Sequence, residues 1–188
     1  MRQGPGIIAR FVRFLKRLFV GLLVLVVLLA AVSYLLPREV RVSRSTTIDA
    51  PAAEIFPLVN SLQETRKWSP WLDIDPNVRL VFSGPDSGVG NQMGWRSENP
   101  EVGSGTQIIT ASVPSSRVST DLDFGEMGPA HAEFLLAPAG TGTLLTWRLT
   151  ADMGMNPVTR WLGLLMDRWV GADYEKGLSK LKSLVESR

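Results

Sequence analysis

Residues Leu18 to Leu36, LFVGLLVLVVLLAAVSYLL, hold no charged side chain over nineteen positions, and the residues before them carry five basic groups and no acidic one. At about 1.5 Å per helical residue this run reaches roughly 28 Å, close to the hydrocarbon thickness of a bilayer. One membrane crossing is therefore predicted, which divides the chain into a basic segment at 1–17, a span at 18–36 and a single domain at 37–188. Arg10, Phe11, Arg13, Phe14, Lys16 and Arg17 give the basic segment an amphipathic pattern suited to anionic headgroups, although the same residues would also serve as a plain charged flank. The competing reading is a cleaved secretory signal, with Arg2 to Arg17 as its charged region and Ala31-Val32-Ser33 as its cleavage site. Signal peptides carry a shorter apolar stretch of about 7–15 residues, which favours a retained anchor. The chain has no Cys, which excludes a lipid-anchored lipoprotein and leaves the redox compartment undetermined.

The basic residues before the span face Arg38, Arg41 and Arg44 after it, offset only by Glu39. The excess of Lys and Arg places the amino terminus inside. In a bacterium that means the inner membrane with a periplasmic domain, and a cytoplasmic domain is the alternative. Setting aside the five amino-terminal basic residues leaves 15 Lys and Arg against 18 Asp and Glu, so the formal +2 of the whole chain conceals a domain of net −3. A mildly acidic domain with no basic run interleaved with aromatics argues against nucleic acid as a partner.

Beyond Pro37 the pattern alternates between polar and β-branched residues from Val40 to Ile48, which predicts a strand. Asp49 and Pro51 open a helix with Ile55, Phe56 and Val59 on its apolar face, and Pro57 inside it should kink or shorten it. A second helical turn at Leu62 to Lys67 precedes Trp68-Ser69-Pro70-Trp71. Six strands follow, at Val78–Phe82, Gln92–Ser97, Gly105–Val113, Arg117–Phe124, Ala130–Ala137 and Thr143–Thr150, separated by short turns rich in Gly, Pro, Asn and Ser. Connections this short require an antiparallel meander. Pro157 then starts a helical pattern running to about Glu186, weakened by Gly163, Gly171 and Gly177. As the one element long enough to cover a sheet of that size, it should pack on the apolar face with Trp161, Leu162, Leu165, Met166, Trp169 and Val170, then Leu178, Leu181 and Val185.

Chemistry-bearing residues are sparse. The single His, His131, lies in a strand whose alternation sets it opposite Ala132, Phe134 and Leu136, and no set of partners at ligand spacing accompanies it, so neither a metal nor a cofactor is expected. Asp121 and Asp123 share a strand face with Arg117, which reads as a solvated face, and Asp73 and Asp75 read as turn formers. Gly84 to Gly94 matches neither a dinucleotide fingerprint nor a phosphate loop. The apolar residues carry more information. Alternation sets Met93 with Trp95, Leu122 with Phe124, Phe134 with Leu136, and Leu145 with Trp147. Together with Trp71, Trp161 and Leu165 they form either a ligand-lining set or an ordinary core.

Four strings, Thr47-Ile48-Asp49-Ala50-Pro51-Ala52-Ala53-Glu54-Ile55-Phe56, Trp68-Ser69-Pro70-Trp71, Gly142-Thr143-Leu144-Leu145-Thr146-Trp147 and Gly171-Ala172-Asp173-Tyr174-Glu175-Lys176-Gly177-Leu178, occur in an order that resembles the SRPBCC superfamily. The superfamily is also called START-like or Bet v 1-like, and the likeness is to its polyketide cyclase/dehydrase-like branch, over roughly Val40 to Glu186. The resemblance implies an α+β helix-grip fold: a curved antiparallel sheet of about seven strands around a long carboxy-terminal helix, enclosing a hydrophobic pocket. On that basis Trp71, Met93, Trp95, Phe124, Phe134, Trp147, Trp161 and Leu165 are the expected ligand-lining residues. The implied partners are a hydrophobic small molecule or lipid and the membrane, with any protein partner unspecified. The family also contains enzymes, so a cyclase/dehydrase-like reaction on pocket carboxylates is the first alternative, and a solid domain that docks a membrane partner is the second. No catalytic motif in this sequence can be carried over.

Overall fold

Residues 7–187 are described by a computed structural model. Helix α1 (Ile7–Ser33) is one unbroken helix, so Ile7 to Arg17 form its first turns and continue directly into the apolar run. Residues 1–6 of the basic segment lie outside the described residues. The helix stops at Ser33, three residues short of the expected Leu36. The amides of Tyr34, Leu35 and Leu36 donate to the carbonyls three residues back, the tighter turn that commonly ends a helix, and Pro37 biases the residue before it away from helical geometry. Between Arg10 and Ser33 the helix is apolar enough to cross a membrane, and none of its most apolar window is covered by the rest of the chain.

Seven antiparallel strands follow: β1 (Glu39–Ile48), β2 (Arg79–Ser83), β3 (Gln92–Arg96), β4 (Ser104–Val113), β5 (Arg117–Asp123), β6 (Pro129–Ala139) and β7 (Gly142–Asp152). They lie in the order β1-β7-β6-β5-β4-β3-β2, so β2 to β7 are the predicted meander and β1 completes the sheet beside β7. A register shift between Ile109 and Ala111 adds a bulge to β4, the device that bends a strand and deepens a sheet's curl. Helix α2 (Ala52–Val59) is short, with Pro57 in its last turn, and buries Ile55, Leu58 and Val59. A 3-10 turn at Glu64–Lys67 leads to the single-turn helix α3 (Trp71–Ile74). The last helix, α4 (Pro157–Glu186), has its predicted ends, with Asn156 as its cap: the Asn156 side chain accepts from the Val158 amide.

The three α4 glycines are sites of close approach rather than of weakness. A Cβ at Gly163 would press on Val40 and Met153, one at Gly171 would overlap the Arg44 guanidinium, and one at Gly177 would sit 3.0 Å from the Trp147 ring. Only half of the expected helix face covers the sheet. Tyr174, Leu178, Leu181 and Val185 are buried, whereas Leu162, Leu165 and Trp169 are exposed. Ion pairs fix the seating of α4. Asp73 meets Lys176 and Lys180, and the Lys182 ammonium donates to the Thr47 carbonyl at 2.6 Å.

The glycine-rich connection before β3 is organised by one buried amide. Asn91 accepts from the Leu62 backbone at 2.7 Å and donates to the Pro85 carbonyl at 2.7 Å, joining that loop to the segment after α2. Replacing Asn91 with Ala leaves the Leu62 amide without its side-chain acceptor. The expected loss, read from the urea midpoint, is about 1–3 kcal/mol, and a loss below a few tenths would mean that water takes over the amide's role.

Candidate functional site

The inner face of the sheet is built by strict alternation. On β6 it presents Ala130, Ala132, Phe134 and Leu136, and on β7 it presents Thr143, Leu145, Trp147, Leu149 and Ala151, all of them buried. Near β6, β7 and α4 the space between sheet and helix is filled with rings. Trp147 stacks on Tyr174 with centroids 3.7 Å apart and planes within 9°. Trp68 meets Trp147 edge-on at 5.4 Å and Phe134 at 5.8 Å, while Trp71 meets Trp147 at 5.8 Å. The Trp68 indole donates to the Leu58 carbonyl at 3.1 Å, so this ring, 1 % exposed, is satisfied as well as packed.

Across β2 to β5 the same face is less covered. Leu80, Phe82, Met93, Trp95, Leu122 and Phe124 lie on it and are only half-buried. Trp95 lies over Gly105, where a Cβ would overlap its ring, and meets Phe124 edge-on at 5.6 Å. Its indole donates to the Val102 carbonyl at 3.3 Å, and Gln107 donates to the Thr120 hydroxyl at 3.0 Å on the same face. The result is an apolar shelf with a few polar groups and a solid aromatic wall beside it. Two open grooves elsewhere, of about 420 and 500 Å³, are lined largely by serines and charged side chains and lie outside the sheet–helix interface.

Of the eight predicted lining residues, Trp71, Phe134 and Trp147 meet in the filled wall, and Met93, Trp95 and Phe124 lie on the shelf. Trp161 and Leu165 stand apart from both groups. The Trp161 indole donates to the Leu29 carbonyl of α1 at 3.2 Å, and Leu165 is exposed. At 100° per residue these two project from the side of α4 opposite Gly163 and Val170, so a helix that buries one face cannot bring them in. Tyr174 was not anticipated, although Met166, Val170, Tyr174 and Leu178 recur every four residues and mark the seated face.

Two further residues matter electrostatically. Arg44 alternates with Val42 and Thr46 on the inner face of β1 and passes under α4, where it pairs with Asp167 at 2.9 Å and Glu175 at 2.6 Å. The hydrogen bonds it donates to both carboxylates raise its already high pKa. Asp173 sits next to Trp71, whose indole donates to it, where α3 meets α4. Desolvation raises its pKa, the Trp71 bond and Lys176 act against that rise, and Glu101 adds repulsion. No periodicity singles Asp173 out, since it lies at the margin of the seated helix face.

His131 projects from the outer face, as alternation predicts, with its Nδ1 2.7 Å from Asp121. Asp123 caps the Gly125 amide, and Asp75 closes a turn at Asn77. Among the described residues no cluster of three His, Asp or Glu side chains is placed to hold a metal.

Four carboxylates tie the domain's ends together with pKa values held below the ordinary range. Asp152 is lowered to about 2, chiefly by hydrogen bonds from Arg38, and Asp73, Asp167 and Glu186 are lowered by their partners on neighbouring elements. A depressed folded pKa stabilises the protein above the unfolded value, near 4, and that contribution is lost as pH falls through the lower folded value. The urea midpoint is therefore expected to drop between pH 4 and pH 2, with a shallower drop in Asp152→Asn. An unchanged slope in that variant would contradict the assignment.

Residues 39–186 match the model of a family described as polyketide cyclase / dehydrase and lipid transport. Comparison with curated proteins gives no match. Among solved structures, the chain is similar to Ara h 8.0201 with a TM-score of 0.59 at 15 % identity, covering 80 % of this chain and 99 % of that one. It is also similar to protein Ms6760 from Mycobacterium smegmatis, with a TM-score of 0.55 at 15 % identity over 79 % and 92 % of the two chains. The di-domain ARO/CYC StfQ from the steffimycin biosynthetic pathway aligns with a TM-score of 0.60 at 13 % identity over 80 % of this chain and 51 % of its own. Likeness at such identities is likeness of fold.

Proposed function

The chain belongs to the polyketide cyclase / dehydrase and lipid transport family, and from that premise we propose that it is a membrane-anchored binding protein for a hydrophobic small molecule or a single lipid chain. The observation that carries this reading is the division of the inner face into a solid wall and a half-buried shelf. Phe82, Met93, Trp95, Leu122 and Phe124 leave apolar area unsatisfied where a ligand can cover it. Trp71 meets Trp147 edge-on in the wall, and Phe134 backs Trp147. Helix α1 acts as the retained anchor, and the two residues between Pro37 and Val40 hold the domain close to the lipid surface.

Native mass spectrometry of the full chain released gently from detergent tests this directly. An apolar mass carried with the protein, displaced by added lipid, is the expected result. A bare protein mass with no response to a panel of fatty acids, phospholipids and polyaromatic compounds would remove the proposal.

Asp173 supports a second reading, in which the shelf performs a cyclisation or dehydration. A carboxyl group with a raised pKa beside an indole at the edge of an apolar surface suits proton transfer. Asp173→Asn then loses turnover of a bound polyketide-like substrate while retaining its affinity. Equal turnover in the variant and the parent would discard this reading.

A further inference from the structure

The strip Val158, Leu162, Leu165 and Trp169 follows the spacing four, three, four along α4, so its members share one face within about 60° of arc. They are 64 %, 46 %, 41 % and 53 % exposed, with α1 already in place beside the helix. A solvent-facing helix normally carries polar residues there. Further along α4 the same face does become polar, with Lys176, Lys180 and Ser183 in register. The apolar character is thus confined to the first three turns.

Those turns are also the ones joined to α1. Besides the Trp161 bond to Leu29, the Arg160 guanidinium donates to the carbonyls of Tyr34 and Leu36 at 3.4 and 3.2 Å and lies 5.5 Å from the Tyr34 ring centre. Leu29 stands seven residues before the end of the uncharged run, roughly 10 Å below it at about 1.5 Å per residue. The start of α4 is therefore fastened to α1 at a depth that belongs to the bilayer if α1 spans it.

We propose that the first three turns of α4 lie in the bilayer surface beside α1, with Val158, Leu162, Leu165 and Trp169 among the acyl chains. This rests on the anchor reading above. Arg168, exposed on the flank of the strip, then meets headgroup phosphates. The edge of α4 next to the strip carries Met166 and Val170, half-buried against the core, so lipid at the strip reaches the margin of the domain's apolar interior.

The absence of Cys from the chain makes single-site labelling clean. Leu162→Cys, Leu165→Cys, Ser183→Cys and Val26→Cys, each in the full chain, carry an environment-sensitive fluorophore and are reconstituted into phosphatidylcholine vesicles. Nitroxide on the acyl chains and aqueous iodide serve as quenchers. Labels at 162 and 165 are expected to be quenched by the lipid nitroxide several-fold more than the label at 183, and to be shielded from iodide as the label at 26 is. Quenching at 162 and 165 like that at 183, with 26 still quenched from the lipid, overturns the proposal and leaves the anchor standing. Loss of lipid quenching at 26 as well overturns both. Shielding from both quenchers that grows with the protein-to-lipid ratio means a second copy covers the strip, which also overturns it. Val158→Cys replaces either α4 variant whose circular dichroism departs from the parent's.

Discussion

Trp147→Ala is expected to destabilise the domain by about 3–5 kcal/mol, the range for removing a buried aromatic ring. The residue is 5 % exposed and touches four other rings: it stacks on Tyr174, meets Trp68 and Trp71 edge-on and leans against Phe134. Each well-arranged aromatic pair adds about 0.5–1.5 kcal/mol beyond the area it buries, so the upper part of the range is expected. The neighbours cannot close the gap, because Trp68 is held by its bond to Leu58 and α4 already approaches through Gly177. For a domain of this size the loss lowers the melting temperature by roughly 10 °C or more, measured on the full chain in detergent. Trp147→Phe should recover much of it. A Trp147→Ala protein within about 1 kcal/mol of the parent would show that the ring cluster does not hold sheet and helix together.

The sequence could be read this far because the meander obeys simple rules. Alternation set the facing of β6 and β7, and short turns left no route but antiparallel pairing, so Phe134 and Trp147 were correctly directed inward and His131 outward. The limits of α4 were equally plain, from Pro157 at one end to the loss of pattern near Glu186 at the other. What the pattern could not convey was which apolar arc of α4 faces the sheet. Two arcs are apolar in its first half, one through Met166 and Val170 and one through Leu162, Leu165 and Trp169. Only contact with β1, β7 and α1 distinguishes them.

The site was legible in composition but not in arrangement. Trp95 and Trp147 carry the same strand signal, yet one lies on a half-covered shelf and the other in a filled wall, because that difference depends on how far α4 and α3 extend over the sheet. Arg44 shows a second kind of blindness. A charged residue at an inward position looks like a strand rim until two carboxylates from a distant helix are brought over it and a glycine gives the guanidinium room. Asp173 has the same character, since its pKa is raised by burial where distant parts of the chain meet, with added repulsion from Glu101, against the opposing bond from Trp71.

The difference between shelf and wall yields the second large effect. The double substitution Trp95→Ala with Phe124→Ala should weaken ligand binding by a large factor while each of its changes costs the fold less than the single change at Trp147. If a bound apolar molecule covers about 100 Å² of these two rings, about 25 cal/mol per Å² gives about 2.5 kcal/mol, roughly a 70-fold loss of affinity. Both rings are half-buried before any ligand arrives, so each truncation removes only part of a core residue's contribution, about 1–2 kcal/mol. Titration of the full chain in detergent with a fluorescent fatty acid, alongside urea melts of the same samples, separates the two quantities. Affinity that falls with Trp147→Ala but not with the shelf pair would move the ligand into the wall. Affinity indifferent to both would leave the shelf without a ligand.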